Sequence, residues 1–388
     1  MGISYRQKYE IVRLLLKRGA ASRLDISQAI GVALPTVSTL VRDLMDRGIV
    51  CEDGFGQSAG GRKPARLALN PSFAGAIGIE VSAQRIAGLS LDLGGKVHAR
   101  QEGPLPLPAD RQGVLDAVFR IAETLVNGAE GAPLRGIGVG IGGVLGGEGR
   151  VSRELPFAED WRDVPLADLI EERFGLRAVL LNDVQAAAMG EWRFGGRAQR
   201  RHLLYLHLGR SVGLGLVAEG RLCRGAAGNA GGLIHLDGQA SPHAIAERFA
   251  ATLAEEGGEA ASLEMADVLA AAQDGHTVAM QILQEAGQTL GGEAARWANA
   301  LNPEAVVFGG ALAEGPSILA ASAQSSFREG LLPTLRGETD PEASQVGPDA
   351  CAMGAAAMIF DGFFRSPEAL FGAKGASARQ TASRKGDA

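Results

Sequence analysis

The sequence predicts an α/β chain of two unlike parts: a small helical unit closed by a two-stranded wing over residues 1–71, and a larger two-lobed body over residues 72–364. Three observations lead there. Three short amphipathic helices are followed by two apolar segments that flank a glycine-rich run. From Ala74 onward, short apolar strands alternate with helices. The charge divides at the same place: residues 1–70 hold 11 Lys/Arg and 6 Asp/Glu, and the remaining residues hold 27 and 38. A basic unit on an acidic body suits a chain whose N-terminal part alone meets a polyanion, although ordinary solvated charge reads the same way.

Residues 5–18 read as a first helix with Ile11, Leu14 and Leu15 on one face, ended by Gly19. Ser22 is placed to cap a second helix whose inner face would be Ile26, Ala29 and Ile30, and Gly31 breaks the chain. Pro35 suits the first turn of a third helix, which carries Val37, Leu40, Val41 and Leu44 at helical spacing and stops at Gly48. Ile49-Val50-Cys51 and Arg66 to Leu69 then read as strands on either side of the run Gly54 to Gly61. Helix, helix, turn, helix and wing is the order of a winged helix-turn-helix, in which the third helix enters the major groove. Its outward face would present Pro35, Thr36, Ser38, Thr39 and Arg42, and Arg62 and Lys63 at the wing tip would meet phosphates or a minor groove. A small helical domain with a charged surface turn is the alternative reading of the same residues.

Asn70-Pro71 marks the expected boundary. Ala76 to Ile79 and Gly88 to Leu91 read as a hairpin pair, and Gly136 to Gly143 as a strand entering a glycine-rich turn. Leu166–Phe174 and Val184–Trp192 read as helices around a strand at Val179–Leu181. His202–Leu208 and Gly213–Val217 read as strands, and Gln281–Ala300 as a long helix leading to a strand at Ala305–Phe308. Residues 365–388, rich in Ala, Gly, Ser and Lys, are expected to be a disordered tail.

Composition narrows the class. Apolar residues make up 46% of the 388, enough for a large core. No apolar run is long enough to span a membrane, and the N-terminus lacks a signal-peptide pattern. Cys51, Cys223 and Cys351 form neither a metal spacing nor a disulfide framework, so a cytoplasmic chain is expected.

The ordered set Ala33-Leu34-Pro35-Thr36-Val37-Ser38, Gly60-Gly61-Arg62-Lys63-Pro64-Ala65, Trp161-Arg162-Asp163-Val164-Pro165-Leu166, Leu181-Asn182-Asp183, Leu206-His207-Leu208-Gly209, Gly220 to Ala226 and Val306-Val307-Phe308-Gly309-Gly310 resembles regulators of the ROK family (repressor, open reading frame, kinase). That resemblance implies a two-lobed actin-like, ribonuclease H-like sugar-kinase fold for the body. It also implies repression at double-stranded operator DNA, a sugar or sugar-derived effector, and a homodimer or tetramer.

The resemblance also exposes departures. The kinases' first phosphate loop, Asp-x-Gly-Gly-Thr, is matched here by Glu80-Val81-Ser82-Ala83-Gln84, and the second, Gly-Thr-Gly-x-Gly, by Gly209-Arg210-Ser211-Val212-Gly213. The loss of glycines puts Cβ atoms where a phosphate would approach, so no catalytic residue and no cofactor is expected. Asp183 is retained. It would serve as the sugar base in a kinase, as an acceptor for a sugar hydroxyl in a regulator, or simply cap the following helix with Asn182. The resemblance places Gly142, Gly143, Asn182, Asp183, His235 and Glu247 at the ligand pocket. On their own, His235 reads equally as a buried structural histidine and Glu247 as a solvated helix carboxylate. Gly232 replaces a sugar-contacting glutamate, and the cysteine-rich zinc loop is missing, so no metal is expected. Two rival readings remain: an ATP-dependent sugar kinase with an altered phosphate site, and a regulator that no longer binds a sugar.

Overall fold

The computed structural model describes residues 3–55, 65–83, 85–105, 108–255, 262–313 and 317–371. The N-terminal unit runs α1 (Ile3–Arg18), β1 (Ala20–Ser22), α2 (Arg23–Ile30), α3 (Leu34–Asp46), β2 (Val50–Phe55) and β3 (Ala65–Leu69). Ser22 and Asp25 form a reciprocal capping box at the start of α2. Gly31, with φ at 67°, closes α2, and the chain bends by 113° into α3. Val37, Leu40, Val41 and Leu44 of α3 are buried, as their spacing predicts. On α2 only Ile26 is fully buried; Ile30 is half-buried and Ala29 faces solvent. β1 is too short for periodicity to announce it, yet it pairs antiparallel with β3 and completes a sheet of order β1-β3-β2. Arg62 and Lys63 lie outside the described residues.

The first lobe comprises β4 (Gly75–Val81), β5 (Arg85–Asp92), β6 (Val97–Pro104), α4 (Arg111–Asn127), β7 (Leu134–Ile141), β8 (Val144–Gly146), β9 (Val151–Glu154), β10 (Arg162–Val164), α5 (Leu166–Phe174), β11 (Arg177–Asn182) and α6 (Asp183–Phe194). Its main sheet has the order β11-β7-β4-β5-β6, three consecutive antiparallel strands followed by two parallel ones. The second lobe comprises β12 (Leu203–Leu208), β13 (Val212–Ala218), β14 (Arg221–Leu222), α7 (Asp237–Ala240), α8 (Pro242–Glu255), α9 (Met265–Gln273), α10 (Thr277–Leu301), β15 (Ala305–Gly310), α11 (Ile318–Gly330), β16 (Pro341–Ala343), α12 (Ala350–Arg365) and α13 (Pro367–Phe371). Its sheet, β14-β13-β12-β15-β16, repeats the same scheme of strand directions.

The two lobes exchange their last helices. α6 follows the first sheet but packs on β12 and β13 of the second. α12 follows the second sheet but packs on β4, β7 and β11 of the first. The two helices cross each other at Gly190 and Gly354: a Cβ on Gly354 would lie 1.7 Å from the Ala186 carbonyl oxygen, and one on Gly190 would lie 2.1 Å from that of Ala350. Under α12, Gly78 and Gly138 leave room for the Ala352 and Ala355 carbonyls in the same way. Backbone-to-backbone packing of this kind tolerates no added carbon.

The chain stays ordered past residue 364, contrary to the compositional expectation. α12 runs to Arg365 and α13 follows, with Leu370 buried against the core that α12 shares with the N-terminal unit. Three apolar residues in five are enough to seat α13, which composition averaged over the tail conceals. Residues 372–388 lie outside the described residues.

Gly354→Ala tests the helix crossing. In an ordinary helix the change would stabilise by up to about 1 kcal/mol. Here a net loss of about 2 kcal/mol or more is expected from overpacking, read as a lower denaturant midpoint at unchanged slope. A neutral or stabilising result would mean that the crossing is not close-packed.

Candidate nucleic-acid interface and ligand cleft

α3 presents the predicted face. Pro35, Thr36, Thr39 and Arg42 are exposed and Ser38 is half-buried. The Ser38 hydroxyl donates to the Leu34 carbonyl at 2.9 Å, and that of Thr39 to the Pro35 carbonyl at 3.2 Å, which leaves their oxygens able to accept. Ala33 at the N-cap makes no side-chain hydrogen bond. The first-turn N–H groups of α3 therefore lack a side-chain cap, and a helix start in that state favours an anion. Lys8 of α1 holds Asp43 of α3 at 2.7 Å, and this contact keeps the Asp43 carboxyl below the usual carboxylate range.

The N-terminal unit is docked firmly on the body. The Tyr5 hydroxyl donates to the Pro367 carbonyl at 3.0 Å, and that of Tyr9 to the Arg365 carbonyl at 3.1 Å. The Tyr5 and Phe371 rings sit 4.6 Å apart between centroids. At the other end of α1, Arg193 donates to the Leu16 carbonyl and Gln199 to that of Arg18. Ile11, Val12 and Leu15 of α1 belong to one continuous apolar core with Phe360 and Phe364 of α12 and Ala76 of β4.

A candidate ligand cleft lies at the C-terminal ends of β4, β7 and β11, where strand ends of an α/β sheet present their ligands. The parallel pairing of Asn182 with Ile141 sets Asn182-Asp183 beside Gly142-Gly143. A Cβ on Gly142 would lie 3.5 Å from Asp183 Oδ2. Gly143 adopts φ 88°, and a Cβ there would lie 2.1 Å from the Glu154 carbonyl oxygen, so this turn requires glycine. Asn182 caps α6 by accepting from the backbone N–H groups of Val184 and Gln185, and Asp183 Oδ1 accepts from that of Val184. Capping therefore uses one Asp183 oxygen and leaves Oδ2 towards Gly142.

His235 and Glu247 have other partners. The His235 ring is 3.5 Å from Glu293 on α10, while Glu247 pairs with His243 at 3.2 Å on an exposed face of α8. Among the described residues no group of three or more His, Cys, Asp or Glu is arranged to hold a metal. Two cleft residues escape sequence reasoning. The Asn229 side chain accepts from the Leu145 N–H at 2.8 Å and donates to the Leu145 carbonyl at 2.9 Å, clamping a second-lobe loop to the first lobe. Arg224 donates to the Leu180 carbonyl at 3.1 Å across the same gap. Both sit in a loop without periodicity, and both recognise backbone, so no spacing betrays them.

Behind Asp183 lies a buried polar group. The Tyr205 hydroxyl and His207 Nδ1 are 3.2 Å apart, and the His207 ring crowds Gly209 at the second loop. Burial pushes the His207 imidazole towards its neutral form, while the Asp183 charge opposes this. Glu80, at the first loop, is pushed up to about 7 by burial and by the charges of Asp183 and Asp349, with Arg85 acting against them.

A carboxyl with a raised folded-state value binds its proton more tightly when folded. Its charge therefore costs stability as pH rises from the unfolded value towards 7, and the full cost is present above 7. Glu80→Gln should change stability little at pH 4.5 and raise it by on the order of 2–3 kcal/mol at pH 8. Denaturant titrations across that range check this; a difference that does not grow with pH would contradict it.

Residues 76–361 match the model of the ROK family, and residues 6–50 match a winged helix-turn-helix DNA-binding model. A putative xylose repressor of Caldicellulosiruptor sp. is 28% identical over 93% of this chain and 97% of its own length. A glucokinase of Thermotoga maritima is 29% identical over 63% of this chain and 85% of its own length. The crystal structure of a ROK family transcriptional regulator, a homologue of the Escherichia coli Mlc protein, superposes with a TM-score of 0.76 at 23% identity, covering 95% of this chain and 99% of that one. With a winged helix-turn-helix on an actin-like, two-lobed body whose family model spans most of its length, the chain belongs to the ROK family.

Proposed function

We propose that this protein is a sugar-responsive transcriptional repressor. The observation that carries the reading is the docking of a winged helix-turn-helix on the last helices of a two-lobed body. The xylose repressor relatives match both parts over nearly their whole length, which supports the same reading. Ligand held between the lobes would alter how they close. Because α12 lies on the first sheet and carries α1, that change would reach the recognition helix. Binding to an inverted-repeat operator would use two copies, one per half-site. The proposed ligand residues are Gly142, Gly143, Asn182 and Asp183, with Asn229 as the clamp across the cleft; His235 and Glu247 belong to its outer rim. Similarity to the Thermotoga maritima glucokinase covers 63% of this chain, against 93% for the putative xylose repressor. We read the body as a sensor without kinase activity, because Glu80 to Gln84 lacks glycine and Arg210 occupies the second loop.

Gel-shift or anisotropy titration with the protein's own upstream DNA tests this. Arg42→Ala should weaken operator binding by about 1–3 kcal/mol and relax specificity, and Arg62→Ala should weaken all sequences alike and lower the salt slope by about 1. Unaltered binding in both variants would overturn the assigned DNA surface.

A panel of pentoses and hexoses, xylose first, should raise the melting temperature and release DNA, and Asp183→Asn should cut that affinity at least tenfold. ATP turnover with any of these sugars would restore the kinase reading.

A further inference from the structure

Between α1 and the body lies a cavity of about 400 Å³, within the range of small-molecule sites. Eight cationic side chains line it, with two carboxylates, Glu219 and Asp361. The whole chain leans the other way, with 44 carboxylates to 38 cations. Both lining carboxylates are already paired, Glu219 with Arg201 and Asp361 with Arg365. None of the other six, Arg13, Lys17 and Arg18 on α1 and Arg193, Arg200 and Arg221 on the body, makes a salt bridge among the described residues, although the charge of Asp361 also acts on Arg193 and that of Glu304 faces Arg200.

Part of this charge has a local explanation. Lys17 and Arg18 sit in the last turn of α1, where cations suit the helix dipole. Arg193, in the last turn of α6, has the same explanation; Arg200 and Arg221 do not. The body's three cations come from the end of α6, the loop before β12 and the first residue of β14, and they line the same space as the α1 cations. Like charges held this close repel, and a bound anion would relieve them. Arg193 is half-buried and oriented by its bond to the Leu16 carbonyl, so its remaining donors are positioned in advance. The lining also has an apolar side, where Trp192 is half-buried and Phe360 beneath it is only 1% exposed. Trp192 spends its indole N–H on the Arg200 carbonyl at 2.7 Å.

We propose that this cleft binds an organic phosphate, a small molecule with a phosphate head group on an apolar or aromatic body, and that the ligand bridges the DNA-binding unit to the sensor. The phosphate sits between the cations of α1 and those of the body. The apolar portion lies against Trp192. Such a ligand fixes α1 in its docked position and gives the protein a second input besides the cleft between the lobes. Binding itself stands independently of the repressor reading; only its effect on DNA rests on that reading.

The test uses the full-length protein without DNA. Calorimetry and thermal melts compare AMP, phenyl phosphate and inorganic phosphate with adenosine and phenol at fixed ionic strength. AMP and phenyl phosphate should stabilise, inorganic phosphate should bind more weakly, and the phosphate-free compounds should have no effect. The double variant Lys17→Ala, Arg221→Ala alters two exposed side chains and should lose at least tenfold in affinity while melting normally without ligand. No stabilisation by any phosphate probe at millimolar concentration, or an undiminished affinity in the variant, would overturn the proposal. Inorganic phosphate binding as tightly as AMP would overturn the amphipathic ligand. Protection of the cleft by duplex DNA alone would assign its charge to the operator backbone instead. In a second arm the operator affinity of the wild type should shift at least threefold with AMP, and that of the variant should not; failure there with binding intact would count against the link to DNA and leave the site.

Discussion

The crossing of α6 over α12 is the constraint on which the rest of the molecule depends. Two glycines, Gly190 and Gly354, let the helices meet at backbone distance, and Gly78 and Gly138 let α12 settle equally close on the first sheet. Side chains at these positions would hold the layers apart, and helix spacing reflects side-chain size directly. α6 then starts at the cleft with Asn182 and Asp183, and α12 ends at the DNA-binding unit with Phe360, Phe363 and Phe364. The candidate cleft and the DNA-binding unit thus lie at the outer ends of one packed pair. Such a pair has few intermediate arrangements, because a close-packed core shifts between discrete states more readily than it deforms.

The proposed cleft keeps the geometric part of a sugar-kinase scaffold while both of its phosphate-loop sequences are altered. The retained elements are geometric: parallel strand ends, the Gly143 turn that only glycine fits, and an Asp183 whose two oxygens divide between capping and the cleft. The altered elements are those that would approach phosphates. Tyr205 and His207 form a hydrogen-bonded pair in that region, and burial disfavours the charged forms of both His207 and Glu80. A second anion brought into that space would meet Asp183 and Glu80. The cations that could receive an anion have gathered elsewhere, around α1.

Sequence legibility follows the physics of each element. α5 is bounded by Pro165 and Gly175, and its ends coincide with those the pattern predicts. The buried set of α3 and the capping box of α2 are local, and local chemistry is readable. β6 is an edge strand with mostly exposed, polar residues, so it carries no apolar alternation to read. α4 does carry a stripe, Val114, Val118, Ile121 and Leu125 behind an Asp110 cap, although the strand pattern around it dominates that stretch. In the cleft, Gly142 and Asp183 follow from strand ends. Asn229 and Arg224 do not, because their partners are main-chain groups some 40–80 residues away in sequence. The shortened segment after His235 gives that histidine and Glu247 the partners Glu293 and His243, which no motif specifies.

The docking of α1 on α12 and α13 has a consequence for the order of events at the ribosome. α1 buries its face against helices made more than 300 residues later. Until residues 350–371 have emerged, Ile11, Val12 and Leu15 lack the Phe360 and Phe364 side of their core. The winged unit can fold on its own schedule, since its internal contacts are local, but it cannot take up its working orientation. A nascent chain therefore forms its winged unit well before that unit's seat on the body. A delay or truncation ahead of residue 350 would leave the unit without α12 and α13.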